Sequence, residues 1–490
     1  MTASKSHTSN NAEPLDVLVI GAGISGINAA YHLQTELPDY RFAVLEARDN
    51  IGGTWDLFRY PGIRSDSDLY TFGFTWYKWN RSNPIAEGGD ILAYLDDAMT
   101  THRLKDYFLF NHRVVSLDWA ENQWTAQVQH GDQDLQFRSR YIILATGYYD
   151  YNQPLPTTIP GLDDFSGQII HPQFWPEDFD YTDKRIVVIG SGATAITLIP
   201  KLAEKAEKVT MLQRSPTYVI ALRNRAVQSW FARLLPKSIL YYYRRLSALI
   251  RGQLFFNFCR AFPNAARSLF ERITLPRLPL GIPLNPHFKP KYNPWDQRLC
   301  VCPDGDFFKA LGSRKAAIET DTIASVTKIG IQLNSGTHLP ADVLVTATGL
   351  KLQIGGAINI SVNGSPLSLS DKHIWNGAML QDLPNASLVL GYVNASWTLG
   401  ADAAMGLTCR VLKYMQRNGY TAVVPGVEGE QEKMLDSQRR PFLDLNSTYL
   451  TRAQDALPKA SALRPWVSRT NYFADLFYAW FGGWDGLRFA

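Results

Sequence analysis

Cysteine is scarce in this chain, with four residues in 490, at positions 259, 300, 302 and 409. Cys300 and Cys302 have one residue between them, not two, and no histidine cluster accompanies them. A disulfide framework or a metal site is therefore not expected, and a reduced cytoplasm suits the chain. Long apolar runs are missing too: none reaches the roughly 18–20 residues that cross a bilayer. The polar N-terminal MTASKSHTSNNAEP lacks the apolar centre of a secretory leader and reads as a disordered lead. Acidic residues nearly vanish from one stretch. Between Leu222 and Leu278 eleven Lys/Arg face the single acid Glu271, a balance of +10 within a total of +4, which leaves −6 for the rest.

That stretch also holds Trp230, Phe231, Tyr241 to Tyr243, Phe255, Phe256, Phe258, Phe262 and Phe270. It fits either of two pictures: a basic aromatic helical surface resting on anionic lipid, or a helical insertion packed between domains with its arginines in solvent. No motif supports nucleic-acid binding, and no protein partner is indicated. The rest of the composition, 46% hydrophobic and 12% aromatic, is that of a soluble globular protein. At 490 residues the chain exceeds one compact core, so two or three domains are expected.

What is present is a pair of nucleotide-binding turns. Leu15 to Ile20 (LDVLVI) has a strand's length and β-branched content, and it runs into Gly21-Ala-Gly23-Ile-Ser25-Gly26 and then a helical pattern. Strand, G-x-G-x-x-G and helix in that order form the dinucleotide fingerprint. Gly21 allows the tight turn, Gly23 lets a pyrophosphate approach the backbone, and Gly26 lets the helix pack on the strand. The helix's free N–H groups then face the phosphates. The next strand (RFAVL, 41–45) ends at Glu46. A carboxylate there accepts both ribose hydroxyls and repels a 2′-phosphate, so FAD is the expected tenant.

The pattern returns at Arg185 to Ile189, followed by Gly190-Ser-Gly192-Ala193-Thr194-Ala195 and a second helical run. Here the following strand, KVTMLQ, ends in Gln213-Arg214-Ser215 with no acid. Arg214 is always charged and bidentate, which suits the 2′-phosphate of NADPH. Each half also has a late strand ending in Ala-Thr-Gly, at 145–147 and 347–349, that brings backbone against a nucleotide. Two sites together imply hydride passing from NADPH to FAD. A disulfide reductase would need a thiol pair near the first turn, but the first cysteine is Cys259. Oxygen is the remaining common acceptor.

Three segments point to what happens to that oxygen. Gly52 to Asp66 (GGTWDLFRYPGIRSD) has the form [A/G]-G-x-W-x4-[F/Y]-P-[G/M]-x3-D, and its Gly and Pro density marks it as a loop. Phe165, Gly167, His171, Trp175 and Pro176 form F-x-G-x-x-x-H-x-x-x-W-P just before the second turn. Tyr292 to Cys300 reads YNPWDQRLC. Together these resemble the Baeyer–Villiger monooxygenases, flavoproteins that use NADPH and O2 to insert oxygen beside a ketone carbonyl. Trp175 separates them from related flavin monooxygenases. The similarity spans nearly the whole chain and is nearest to the bacterial ethionamide-activating branch, as in HPQFWPED (171–178), LQRSPTY (212–218) and NASWTL (394–399).

The resemblance implies that Arg298 is the active-site arginine, lying over the flavin and paired with Asp66. It would hold a C4a-peroxyflavin as its anion, since arginine cannot give up a proton. FAD would be bound by Gly21, Gly23, Ser25, Gly26, Glu46, Thr54, Trp55, Asp66, Val114 and Gly147. NADPH would be bound by Gly190, Gly192, Ala193, Thr194, Arg214, Ser215 and Gln297. Many relatives carry lysine where this chain has Gln297, which leaves Arg214 as the main support for NADPH over NADH. His171 is expected to act as a hinge or hydrogen-bonding residue during cofactor movement, not as a base.

The fold expected is α/β, with two Rossmann-like, doubly wound dinucleotide-binding domains and a helical insertion. Residues 1–153 and 384–490 would form the FAD domain, 154–220 and 300–383 the NADPH domain, and 221–299 the insertion carrying Arg298. The substrate would be a small-molecule ketone or sulfide. Alternatives are a flavin monooxygenase oxygenating mainly sulfur or nitrogen, and a flavin redox sensor without turnover. Localisation is expected to be cytoplasmic, with peripheral membrane contact through 222–278 as the second possibility.

Overall fold

The computed structural model describes residues 13–225, 236–427, 429–443, 448–469 and 471–490. The expected disordered lead lies outside the described residues up to position 12, as does the stretch 226–235 with Trp230 and Phe231.

Two parallel sheets organise the chain. In the first, Leu15–Ile20 lies between Phe42–Leu45 and Gln133–Leu144, with Phe108–Leu109 and Ala386–Leu388 continuing the sheet outward, all parallel. After the half-buried Asp16, residues 17–20 are all buried, which is why they read as an unbroken apolar run and not an alternating one. Helix α1 (Ile24–Glu36) carries the chain from the first strand to the second. The strand expected at RYIILATG starts earlier, at Gln133, because its first half pairs antiparallel with Gln123–His130.

In the second sheet the order is Ala316–Thr320, Lys208–Gln213, Arg185–Ile189, Val343–Thr346 and Gln168–Ile170, again all parallel. Helix α2 (Ala193–Lys205) follows its central strand as α1 follows the first. In both sheets the strand that opens a nucleotide turn is central, with the strand that precedes Ala-Thr-Gly beside it. The chain thus folds as two doubly wound, Rossmann-like α/β units.

After Lys208–Gln213 the chain leaves the second sheet and forms α3 (Lys237–Ala261) and α4 (Pro263–Thr274) before returning. Near the C-terminus, α5 (Trp397–Asn418) packs on α1, and α6 (Tyr472–Phe481) packs on α5. The end of the chain therefore closes the first unit.

Residues 52–66 are not entirely loop, contrary to their glycine and proline content. Thr54–Leu57 makes one helical turn, in which Leu57 N–H reaches the Gly53 carbonyl at 2.9 Å and Phe58 N–H reaches Thr54 at 3.1 Å. Within residues 52–66 no proline precedes Pro61, so nothing blocks those bonds. Phe58 and Tyr60 then enter the core of the second unit, which makes this segment a strap between the two.

Candidate active site

The first turn is built by contact. A Cβ on Gly26 would lie 1.8 Å from the Gly21 carbonyl oxygen, and one on Gly21, held at φ +105°, 2.6 Å from that of Ala145. Side chains are excluded there because α1 and the strand end touch the turn directly. A Cβ on Gly23 would instead clash with nothing, meeting only the Gly53 backbone at an ordinary contact of 3.7 Å. The first turn of α1 has no side-chain cap and no acid, so its N–H groups are free for an anion. Backbone donors around a cradle that a methyl would fill fit the pyrophosphate of FAD.

Glu46 is buried beside this turn. Its Oε2 accepts the Ala22 N–H at 2.6 Å and its Oε1 the Arg48 N–H at 2.9 Å. Burial raises its pKa above the ordinary carboxylate value, opposed by those two bonds. The second lone pair on each oxygen stays available to ribose hydroxyls. Neither donor was evident in the sequence, because both come from backbone at the turn.

One cavity of about 400 Å³ extends from the turn into the cleft between the two units. Nine of the ten residues assigned to FAD line it, namely Gly21, Gly23, Ser25, Glu46, Thr54, Trp55, Asp66, Val114 and Gly147. Gly26 sits behind the turn. Of the residues assigned to NADPH only Thr194 reaches the cavity, at the start of α2. Gly190, at φ +144°, would put a Cβ 2.2 Å from Ala347 O, whereas Gly192 faces open space. Ala193 opens α2, whose first turn is as free of caps and acids as that of α1. Arg214 and Ser215 are exposed at the end of Lys208–Gln213, and Ser191 Oγ donates to the Ser215 carbonyl at 3.1 Å. Gln297 is half-buried next to Arg298.

Arg298 also lines the cavity. Its Nε stands 4.0 Å from Asp66 Oδ2, with the arginine side chain 42% exposed and the aspartate 16%. Burial raises the Asp66 carboxyl, and the guanidinium charges of Arg298 and Arg64 oppose the rise. Arg64 escaped the sequence reading. Its side chain is 9% exposed, lines the same cavity and pairs closely with Asp306. Its Nε and Nη2 have no hydrogen-bond partner among the described residues. Two ion pairs of opposite order, Arg64–Asp306 and Asp66–Arg298, therefore clamp the same two segments together, the first close and half-buried and the second loose.

Aromatic residues close the remainder. The Trp397 indole donates to Ser25 Oγ at 2.8 Å and stacks on Tyr148 with ring centroids 5.0 Å apart. Tyr151 and Thr54 hydroxyls are 3.1 Å apart. The run YYDY that follows Ala-Thr-Gly147 was the available signal for Tyr148 and Tyr151.

The fingerprint residues lie outside the cavity. Phe165 is buried, and a Cβ on Gly167 would meet Asp342 O at 2.3 Å. His171 Nδ1 accepts the Gln173 N–H at 3.3 Å, which leaves Nε2–H to donate to the Gly349 carbonyl at 3.3 Å. Burial lowers the imidazole's pKa, with the Gly349 bond opposing. His171 therefore ties the fingerprint to the Ala-Thr-Gly strand end of the second unit. Trp175 is buried edge-on against Phe179 and Tyr181.

Residues 15–238 match the family described as Pyridine nucleotide-disulphide oxidoreductase. The chain is 45% identical over 468 residues to the FAD-containing monooxygenase EthA of Mycolicibacterium smegmatis, covering 95% of this chain and 94% of that protein. It is 43% identical over 466 residues to the probable FAD-binding monooxygenase AlmA of Acinetobacter baylyi, covering 94% and 93%. Among solved structures, the fold is similar to an oxidized steroid monooxygenase bound to NADP, with a TM-score of 0.76 at 22% identity over 97% of this chain and 99% of that one. It is also similar to an ε-caprolactone-bound cyclohexanone monooxygenase, with a TM-score of 0.74 at 22% identity over 98% and 100%.

Proposed function

The chain belongs to the FAD-containing monooxygenases, and from that premise we propose that it uses NADPH and O2 to convert ketones to esters or lactones, with sulfur oxygenation as a secondary activity. The observation that carries this reading is the Arg298–Asp66 pair at 4.0 Å within the cavity that begins at the first nucleotide turn. FAD, when bound, would pass electrons from NADPH to O2 and supply an activated oxygen atom for transfer.

The chain's own residues do the rest. Gly21, Gly23 and the start of α1 would hold the pyrophosphate, and Glu46 the ribose. Arg214 would take the 2′-phosphate of NADPH, with the start of α2 facing its pyrophosphate. Arg298 keeps its proton at any working pH, so it stabilises negative charge developing on oxygen without neutralising it. That favours attack on an electron-poor carbonyl carbon over oxidation of a thioether. Asp66 orients the guanidinium and offsets its charge. Trp397, Tyr148 and Trp55 exclude water from the cleft.

The test uses Arg298→Ala. The variant should still be reduced by NADPH at close to the normal rate, but form no ester and release its reducing equivalents as hydrogen peroxide. Normal ester yield from the variant would overturn the assignment. Supplying a ketone and a thioether together separates carbonyl from sulfur chemistry by product.

A further inference from the structure

Apolar surface is left uncovered in one part of this molecule. Among the described residues, fourteen of the twenty large apolar side chains that remain exposed fall in residues 239–280 or in α6. On α3 they form a stripe, Ile239, Tyr242, Leu246, Ile250 and Leu254, recurring every three or four residues along one side of the helix. The opposite side, with Tyr241, Arg245 and Cys259, is buried. On α6 the exposed residues are Phe473, Phe477, Trp480 and Phe481, again one side of a helix, while Ala479 faces inward. Tyr472, at the start of α6, lies against the Arg245 guanidinium of α3. Two helices more than 200 residues apart in sequence thus meet, each with its solvent side apolar.

Isolated exposed leucines need no explanation, but a concentration of them marks an interaction site. Charge decides the kind of partner. Residues 236–280 contain eight Lys/Arg and one acid, Glu271, and Arg251, Arg260, Arg272 and Arg277 are exposed there. On α6 the only charged residue, Asp475, accepts the Tyr392 hydroxyl at 2.7 Å. No helix among the described residues is long and apolar enough to cross a membrane. An apolar stripe bordered by arginines, on helices that cannot span, matches a surface that lies on anionic lipid.

We propose that the exposed sides of α3 and α6 dock the enzyme on an anionic membrane surface, with Leu246, Ile250, Phe477 and Trp480 entering the headgroup boundary and the exposed Arg251, Arg260, Arg272 and Arg277 meeting lipid phosphates. This is independent of the reaction catalysed, and its test needs no turnover.

Flavin-loaded full-length protein is sedimented with vesicles of phosphatidylcholine alone or of phosphatidylcholine mixed with phosphatidylglycerol. Binding is expected to the mixed vesicles, weakening as salt rises, with little to the neutral ones. Leu246→Glu with Ile250→Glu, and separately Phe477→Glu with Trp480→Glu, should each reduce binding by about tenfold or more. Normal NADPH oxidation shows that the variants are folded. Absence of binding to mixed vesicles would overturn the proposal. So would a concentration-dependent dimer that the same substitutions convert to monomer, since the face would then be covered by a second copy.

Discussion

The two Rossmann-like units use the same turn and differ in what surrounds it. In the first, Gly21 and Gly23 open into a deep cavity shared with Glu46, Trp55, Tyr148 and Trp397. In the second, Gly192 faces open space and the following strand delivers an exposed Arg214 where the first delivers a buried Glu46. A covered site with a buried acid suits a nucleotide that stays. An open one with an exposed guanidinium suits a phosphorylated nucleotide that comes and goes. The difference lies outside the turns, in the residue that ends the following strand, in the strap that carries Trp55, in Tyr148 and in Trp397 from the C-terminal segment.

The strongest way to break this comparison is to block the turns one at a time. Gly26→Val would force a side chain into the Gly21 carbonyl, and the purified protein should contain almost no flavin. Gly190→Val should keep its flavin but lose reduction by NADPH, since its clash is with Ala347. Flavin-to-protein absorbance ratios and anaerobic reduction rates read the two outcomes. Equal flavin loss in both variants would mean that the units do not divide the nucleotides.

Next in size is the clamp between the units. Arg64→Ala removes the more buried partner of an ion pair whose acid, Asp306, is 29% exposed, so the loss should be roughly 1.5–3 kcal/mol, the range of a charge-assisted hydrogen bond. The melting temperature should fall, and ester formed per NADPH consumed should fall with it, because Asp66 and Arg298 lose their neighbouring anchor. The reversed pair, Arg64→Asp with Asp306→Arg, should recover part of both. Unchanged coupling in Arg64→Ala would reduce the pair to a structural detail.

Arg214→Ala should raise KM for NADPH about tenfold to a hundredfold, the range of a charge-assisted hydrogen bond of roughly 1.5–3 kcal/mol, and leave KM for NADH nearly unchanged. An equal rise for both nucleotides would remove the 2′-phosphate role.

The smallest effect is confined to the first unit. His32 on α1 lies between Glu36, 2.8 Å away, and Asp402 of α5, 3.8 Å away. Burial alone would lower its pKa, but the two carboxylates outweigh that and raise it from 6.5 to about 9. The folded value is above the unfolded one, so the stabilisation is complete below pH 6.5 and lost as pH rises through about 9. The melting temperature should therefore decline across that interval, and His32→Asn should flatten the decline. On α2 the nearest counterpart is an exposed Lys201–Glu204 pair, which should contribute no such dependence.

These contrasts were unevenly legible in the sequence. The turns, their strands and the position of Arg214 at a strand end could be read because glycine requirements and strand–helix order are local. Glu46 was read correctly as a carboxylate at a strand end, but its two backbone donors depend on how the turn closes and so were not visible. Trp397 against Ser25, and Arg64 against Asp306, join residues 372 and 242 positions apart. No local pattern encodes such pairs. The one-turn helix at Thr54–Leu57 was hidden for the opposite reason, since Gly52 and Gly53 favour loop while the residues after them are free to close a turn. The basic stretch was legible as basic, but its neighbour α6 could be found only in three dimensions.

Everything about the proposed chemistry turns on where the transferred oxygen comes from. The flavin-loaded protein is mixed with NADPH, a ketone and isotopically labelled O2, and the product is examined by mass spectrometry. The expected result is an ester or lactone carrying one labelled oxygen atom, with one NADPH oxidised per product. Consumption of NADPH with no oxygenated product from any ketone, or an ester whose new oxygen comes from water, would contradict it.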